Sequence, residues 1–154
     1  MSLAWNPNKA GVLATGGGEG DNIIRLWDVN HEIPVHAIRC TAPVTSLAWS
    51  KSNDKDVDDL VSTHGDPENG LKVWQIDHLK EEQADRYWFT KVKDLNRDDT
   101  RHEYNRVRQP VITNAISPDG SLIATCSEDE TVCLWKVFPP IYEAKKPPVT
   151  LDVK

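Results

Sequence analysis

One pair of histidines in the chain has the residue types of a zinc-protease helix but not its spacing. His31 and His36 lie on either side of Glu32, five residues apart. The zinc motif needs its two histidines four residues apart on one helix face. Pro34 lies between them and would break that helix. The sequence therefore predicts no zinc-peptidase site in this segment.

Two other segments resemble ligand-binding loops only in part. The glycine-rich stretch 16–20 is not followed by Gly-Lys-Ser or Gly-Lys-Thr, and the next segment is predicted to be a strand rather than a helix that would hold a phosphate. Three alternating aspartates look like the start of a calcium loop: Asp54, Asp56 and Asp58. The sixth position of that loop must be glycine, and here it is Asp59. We therefore expect neither a phosphate loop nor a calcium site.

Cysteine usage and net charge narrow the function classes further. The chain has three cysteines, Cys40, Cys126 and Cys133, and no Cys-x-x-Cys pair, so we expect reduced thiols and no zinc site or disulfide framework. Acidic residues outnumber basic ones by 24 to 18, which argues against nucleic acid as the main partner. No apolar run approaches the ~20 residues of a membrane span. We expect no catalytic centre, no cofactor, no metal and no membrane partner, and a location in the nucleus and cytoplasm.

Tryptophan is the unusual residue type, with six Trp against two Phe in 154 residues. Leu3-Ala4-Trp5 returns as Leu47-Ala48-Trp49, 44 residues later. Three further apolar segments each end in tryptophan: 24–27, 71–74 and 132–135. A period of ~40–45 residues with a terminal Trp-Asp, here Trp27-Asp28, is typical of the four-stranded blades of WD repeats.

Short β-branched and aromatic runs bounded by turn residues predict the strands. They are 3–5, 12–16, 23–29 and 35–40 in the first repeat, 44–50, 60–64, 71–76 and 88–95 in the second, and 111–117, 122–126 and 132–138 in the third. The fold is predicted to be all-β, a partial WD-repeat β-propeller of about three four-stranded blades in an open arc. The predicted blades span 1–43, 44–110 and 111–138, with a charged insert at 77–109 and a Pro-rich tail at 139–154 that could add an edge strand at 149–153.

Two kinds of position within the repeats are predicted to be structural. The strand tryptophans Trp27, Trp74 and Trp135 are predicted to form the core between packed blades, because a buried indole contributes a large apolar area. Asp21 and Asp129 each stand six residues before one of these tryptophans. A carboxylate in such a turn accepts hydrogen bonds from turn amides, so we interpret both as turn residues rather than catalytic ones.

Three segments resemble, in order, the last three blades of the Fizzy family of anaphase-promoting complex coactivators: 13–29, 59–74 and 117–138. The most family-specific element is the His64-Gly65 pair that ends the second strand of the middle blade. The likeness covers roughly 1–76 and 111–138, and the charged insert lies outside it.

The resemblance implies an adaptor that recognises substrates for the anaphase-promoting complex ubiquitin ligase in the cell cycle and activates that ligase. Its partners would be the core of that complex and substrate proteins carrying degron peptides, which bind on the propeller rim. By resemblance, Glu130 and Val132 would bind the destruction box, with the acidic residue meeting the degron arginine. The KEN-receptor positions of the family are altered here to Pro43 and Pro110. Because proline offers no side-chain donor, we do not expect KEN binding in the family's manner.

Two other interpretations stay open. The chain could be a generic WD-repeat scaffold for protein interactions. It could also be a non-functional fragment, since the resemblance extends to only three blades and an open arc leaves sheet faces uncovered. The charged insert, which ends beside Pro110, is hypothesised to alter or replace the KEN receptor.

Overall fold

The computed structural model describes residues 1–51, 57–78, 87–95 and 109–138, with residues 77–78 and 87–95 described by their backbone alone. All regular structure in these ranges is β-strand. The strands are β1 (Ser2–Trp5), β2 (Val12–Gly16), β3 (Ile23–Asp28), β4 (Ile33–Arg39), β5 (Val44–Trp49), β6 (Val57–His64), β7 (Leu71–His78), β8 (Tyr87–Leu95), β9 (Val111–Ile116), β10 (Leu122–Ser127) and β11 (Val132–Lys136). Most of the charged insert, the tail and the predicted edge strand at 149–153 lie outside the described residues.

The strands form three antiparallel sheets in chain order. The first sheet has the order β1-β2-β3-β4, the second β5-β6-β7-β8 and the third β11-β10-β9. Strands β1, β5 and β9 are each the first strand of their sheet along the chain and lie at its edge. Strand β5 contacts both β1 and β9. The all-β, partial propeller predicted from the repeat is confirmed. In the described part of the chain, no helix is long and apolar enough to cross a membrane.

Alternation of side chains along the strands decides which residues fill the core. In β2, Val12 and Ala14 are buried while Leu13 between them is only partly covered. The same two-residue period in β3 buries Ile24 and Leu26. This is the pattern of a strand that has one face against another sheet and the other face open.

Two apolar layers hold the three sheets together. The layer between the first and second sheets consists of Val12, Ala14, Ile24, Leu26, Cys40, Val44, Leu47, Trp49, Leu60, Trp74 and Ile76. The layer between the second and third sheets consists of Val61, Leu71, Val73, Ile123, Trp135 and Phe138. The first layer also contains a hydrogen bond between sheets, in which Trp49 Nε1 donates to the carbonyl oxygen of Ala4 at 2.9 Å.

A buried carboxylate joins the first two sheets at one end. Asp58 in β6 is only 1% exposed. It accepts hydrogen bonds from Asn6 Nδ2 at 2.6 Å and from Asn8 Nδ2 at 2.7 Å, both in the turn after β1. Strand β6 begins at Val57, before the predicted start at Leu60. The sequence pattern placed Asp58 outside the strand because a charged side chain is unfavourable in a core, but the first sheet supplies its hydrogen-bond partners.

Candidate functional site

The turns between the second and third strands of the three sheets share one backbone plan. The residue five positions before each strand tryptophan has a left-handed backbone. These residues are Asn22 with φ 52°, Asn69 with φ 46° and Glu130 with φ 63°. Asparagine is one of the few residues with a side chain that adopts this conformation routinely, whereas glutamate is not. The third turn is thus the one of the three that departs from the favoured residue.

In the first two turns, the acidic residue that precedes this position forms an ion pair with a basic residue of the following strand. Asp21 receives two hydrogen bonds from the guanidinium of Arg25, at 2.6 and 2.8 Å. This pair lowers the pKa of Asp21. The sequence interpretation gave Asp21 turn amides as donors, and the structure gives it an arginine instead. In the middle turn, Glu68 Oε2 lies 2.5 Å from Lys72 Nζ.

Asp129 fixes the third turn from inside. It accepts hydrogen bonds from the backbone N–H of Thr131 at 3.1 Å and from the Thr131 hydroxyl at 2.5 Å. The backbone N–H of Glu130 donates to the carbonyl oxygen of Ser127 at 3.1 Å. The side chain of Glu130 is exposed between these two anchored neighbours. Val132, two residues later in the chain at the start of β11, is 65% exposed, so an acidic and an apolar residue are both exposed here.

Pro43 and Pro110 both lie near Gly65, although 66 residues separate them in the chain. A Cβ placed on Gly65 would lie 4.0 Å from the Cβ of Pro43 and 3.9 Å from that of Pro110. The carbonyl of Pro43 accepts from the N–H of Gly65, and that of Pro110 accepts from the N–H of Glu128, both at 3.0 Å. The side chains of the two prolines offer no hydrogen-bond donor. Gly65 is buried between them, and the side chain nearest to a Cβ placed on it is that of Thr45, at 3.7 Å.

A buried chain of hydrogen bonds links Trp74, Ser62 and His64 beneath the middle turn. Trp74 Nε1 donates to Ser62 Oγ at 2.7 Å, and Ser62 Oγ lies 2.8 Å from His64 Nε2. The Ser62 oxygen accepts from the indole, which is a donor only, and is also hydrogen-bonded to His64 Nε2. On the other side of the ring, His64 Nδ1 lies 3.5 Å from the carbonyl oxygen of Ala42 and 3.7 Å from Glu68 Oε2. The His64-Gly65 pair thus connects the strand tryptophan to the middle turn.

The same indole contact recurs in all three sheets, and the sequence interpretation missed the hydroxyl partners. Trp27 Nε1 donates to Thr15 Oγ1 and Trp135 Nε1 to Thr125 Oγ1, each at 2.9 Å. A Ser or Thr placed 10 or 12 residues before each strand tryptophan was the available signal. Trp74 and Trp135 are buried between sheets. Trp27 is only partly buried, because its face of the first sheet has no neighbouring sheet in the described part of the chain.

Among the described residues, those considered for ligand chemistry in the sequence do not form a metal site. No group of three His, Cys, Asp or Glu suited to a metal occurs among the described residues. His31 is exposed and its Nδ1 lies 2.7 Å from Asp28 Oδ2. Asp58 bonds to asparagine amides, and Asp54 and Asp56 lie outside the described residues.

Comparison with known proteins matches this architecture. The family model for the WD domain, G-beta repeat, matches residues 1–28 and 102–136. Protein FIZZY-RELATED 2 of Arabidopsis thaliana is 36% identical over 138 residues, which are 90% of this chain and 24% of that protein. Cell division cycle 20.5, cofactor of APC complex, from the same plant is 35% identical over 137 residues, which are 89% of this chain and 25% of that protein.

A solved structure shares the fold. One chain of the crystal structure of the mitotic checkpoint complex matches with a TM-score of 0.68 and 30% sequence identity, over 90% of this chain and 36% of that chain. The chain spans about a quarter of the length of the curated relatives it matches.

Proposed function

The chain has WD repeats and is similar to Fizzy-related proteins and to Cell division cycle 20.5 over about 90% of its length, as its motifs predicted. From this likeness we propose its function. It contributes the degron-binding rim of a substrate-recognition and activator subunit of the anaphase-promoting complex, and acts in the nucleus and cytoplasm. Two observations support the partner: one relative is named a cofactor of that complex, and the structural neighbour comes from the mitotic checkpoint complex.

The observation that carries the proposal is the backbone of Glu130. A residue with a Cβ in the left-handed region costs about 1–2 kcal/mol, and the equivalent turns relieve this cost with asparagine. Strained residues of this kind are held by over-determined surroundings and cluster at functional sites. Here the hydrogen bonds of Asp129 and Ser127 hold the turn while the Glu130 side chain stays exposed.

The chemistry of the third turn suits an arginine-bearing peptide. A carboxylate accepts the two parallel N–H groups of a guanidinium, and such charge-assisted pairs are among the stronger hydrogen bonds. Val132, exposed beside it, offers an apolar contact for a neighbouring peptide side chain. This combination fits the arginine and the apolar residues of a destruction box.

The surface around Pro43 and Pro110 leads us to expect no KEN-box binding in the family's manner. Pro43, Gly65 and Pro110 meet where the family resemblance places the KEN receptor, and their side chains cannot hydrogen-bond to an asparagine amide or a glutamate. We therefore propose that the chain discriminates between the two degron types and favours the destruction box.

Fluorescence anisotropy with a labelled destruction-box peptide tests the proposal on the 154-residue chain. We expect saturable binding that Glu130→Lys weakens at least ~30-fold, since removing one partner of a partly desolvated Arg–carboxylate pair costs ~2–4 kcal/mol. Glu128→Lys is the matched control, because it reverses an exposed charge two residues away in the same turn and should change affinity little. Equal affinity of the wild type and Glu130→Lys would reject the site.

A KEN-box peptide and the ligase core complete the test. We expect no saturable KEN binding, and tight KEN binding would reject the role of the two prolines. Co-purification of the tagged chain with the core of the anaphase-promoting complex tests the partner separately. A chain that binds the peptide but never the core would be a peptide scaffold rather than a ligase subunit.

A further inference from the structure

The turn that carries Glu130 is a three-residue hairpin loop between β10 and β11. The N–H of Ser127 donates to the carbonyl oxygen of Thr131 at 3.1 Å, which closes a loop of residues 128–130. We call these residues the Glu130 loop. Glu130 is its last residue and has the left-handed backbone that such loops adopt at this position. Because so short a loop has few free torsions, the direction of the Glu130 side chain depends on how the first loop residue is held.

The first residue of the Glu130 loop is held by the segment before β9. The N–H of Glu128 donates to the carbonyl oxygen of Pro110 at 3.0 Å. This bond extends the ladder between β9 and β10 by one step beyond the pair of Val111 and Ser127. Proline has no N–H, so Pro110 accepts from the loop and returns no bond. Its ring also fixes φ in the backbone that carries the accepting carbonyl.

A β-bulge lies beside this hydrogen bond. The pairing of β9 with β10 skips Ile112, which stands between the pairs Val111–Ser127 and Thr113–Cys126. A bulge bends its strand and redirects the neighbouring residues, and bulges are frequent next to functional sites. The end of β9 therefore helps to set the angle at which the Glu130 loop leaves the sheet.

The second sheet repeats this arrangement around a longer loop. The carbonyl oxygen of Pro43 accepts from the N–H of Gly65 at 3.0 Å, and the pairing of β5 with β6 has a bulge at the equivalent place. The loop that follows has five residues, 65–69, between its closing hydrogen-bond partners. The two prolines thus make the same backbone contact, and Pro110 makes it to the loop that carries Glu130.

We propose that Pro110 is a positioning residue for the destruction-box contact. Through its backbone carbonyl it fixes the Glu130 loop, so that the Glu130 carboxylate is directed towards the degron arginine before the peptide binds. The inference rests on the proposed function and names a further residue on which it depends. A group that is already fixed loses less conformational freedom on binding, which increases affinity. The proline that offers no donor to a KEN box therefore strengthens the contact with the other degron.

Pro110→Gly and Pro43→Gly form a matched pair of variants. Both keep the accepting carbonyl, both release the fixed φ, and both replace a half-buried proline directly before a strand. The added freedom of the unfolded chain should lower the thermal midpoint of both variants alike. By fluorescence anisotropy, at a temperature at which both are folded, we expect Pro110→Gly to bind the labelled destruction-box peptide about 3–10-fold more weakly than the wild type. Pro43→Gly should stay within ~2-fold of it.

A second peptide separates positioning from a general loss of structure. In this peptide, alanine replaces the destruction-box arginine, so the pair with Glu130 cannot form. Positioning acts through that pair alone, and the effects of the two changes should therefore not add. We expect Pro110→Gly to change the affinity for this peptide less than ~2-fold.

Hydrogen exchange measures the backbone contact directly. The amide of Glu128 should exchange slowly in the wild type and faster in Pro110→Gly, whereas the amide of Gly65 should exchange at the same rate in both. Pro110→Ala allows less backbone freedom than glycine. It should lie between the wild type and Pro110→Gly in peptide affinity, and it provides the same test if the glycine variant does not fold.

The outcomes distinguish the two proposals. Equal weakening by Pro110→Gly and Pro43→Gly would overturn the positioning role, and so would a weakening that persists with the arginine-free peptide. Loss of binding in Glu130→Lys with wild-type affinity in Pro110→Gly would reject the role of Pro110 alone. Unchanged binding in Glu130→Lys would instead reject the peptide site itself.

Discussion

Glu130 and Asn69 occupy the same left-handed backbone position, five residues before the tryptophan of their strands, with φ angles of 63° and 46°. One residue suits that conformation and the other does not. At position 130, the residue that would favour stability therefore differs from the residue that would favour peptide binding. A substitution at this position can test both effects.

Replacing Glu130 by asparagine should stabilise the fold and weaken the peptide. We expect Glu130→Asn to raise the free energy of unfolding by about 0.5–1 kcal/mol, because asparagine tolerates the left-handed backbone. The same variant should lose most of its affinity for the destruction-box peptide, because an amide cannot replace the carboxylate in an arginine pair. Urea denaturation and anisotropy measure the two effects. Glu128→Asn, whose backbone is not left-handed, should change neither, and a destabilised Glu130→Asn would contradict the argument.

The buried carboxylate between the first two sheets should be important for stability. We expect Asp58→Ala to lower the free energy of unfolding by about 2–4 kcal/mol, because it removes the buried acceptor that the Asn6 and Asn8 amides share across two sheets. Chemical denaturation followed by tryptophan fluorescence measures this loss. Glu19→Ala removes an exposed carboxylate from the glycine-rich turn and should stay within ~0.5 kcal/mol of the wild type. A similar loss in both variants would show that position 58 is not special.

The hydroxyl beneath the middle turn should matter more than its counterpart in the first sheet. Ser62→Ala removes the hydroxyl that the buried indole N–H of Trp74 and His64 Nε2 share, so we expect the free energy of unfolding to fall by about 1–3 kcal/mol. Thr15→Val removes the equivalent acceptor from Trp27, which is partly exposed and can bond to water, and should cost less than ~1 kcal/mol. Thermal unfolding of both variants gives the ranking. The reverse order would contradict a stabilising role for the buried hydrogen bonds from Trp74 through Ser62 to His64.

Stability should fall at alkaline pH because of one thiol. Burial raises the pKa of Cys40 from 9.0 to about 11. Below pH 9 the thiol is protonated in both the folded and the unfolded chain and contributes no pH dependence. Between pH 9 and about 11 the unfolded chain releases this proton and the folded chain retains it, so the free energy of unfolding falls as pH rises. Urea midpoints across this range should show a smaller fall in Cys40→Ala than in Cys126→Ala, whose thiol is exposed. Identical slopes would exclude Cys40 as the cause.

Much of the fold follows from patterns along the chain. The spacing of Trp27, Trp74 and Trp135 located the third strand of every sheet, and turn residues bounded the strands to within a few positions. These signals are local, because side-chain alternation and turn chemistry act over a few residues. The start of β6 was missed, since Asp58 is acceptable in a buried strand only when Asn6 and Asn8 of another sheet reach it.

The candidate site divides in the same way. The sequence alone determined the repeat, its all-β character and the presence of an acid at position 130, because residue type and period are properties of the chain. Only the tertiary structure decided that Glu130 is left-handed and that Pro43 and Pro110 meet at Gly65. It also decided that Trp74 is buried while the equivalent Trp27 is partly open. Burial and proximity depend on which sheet packs against which. Similar repeats therefore become different surfaces when one is covered by a neighbouring sheet and the other is uncovered among the described residues.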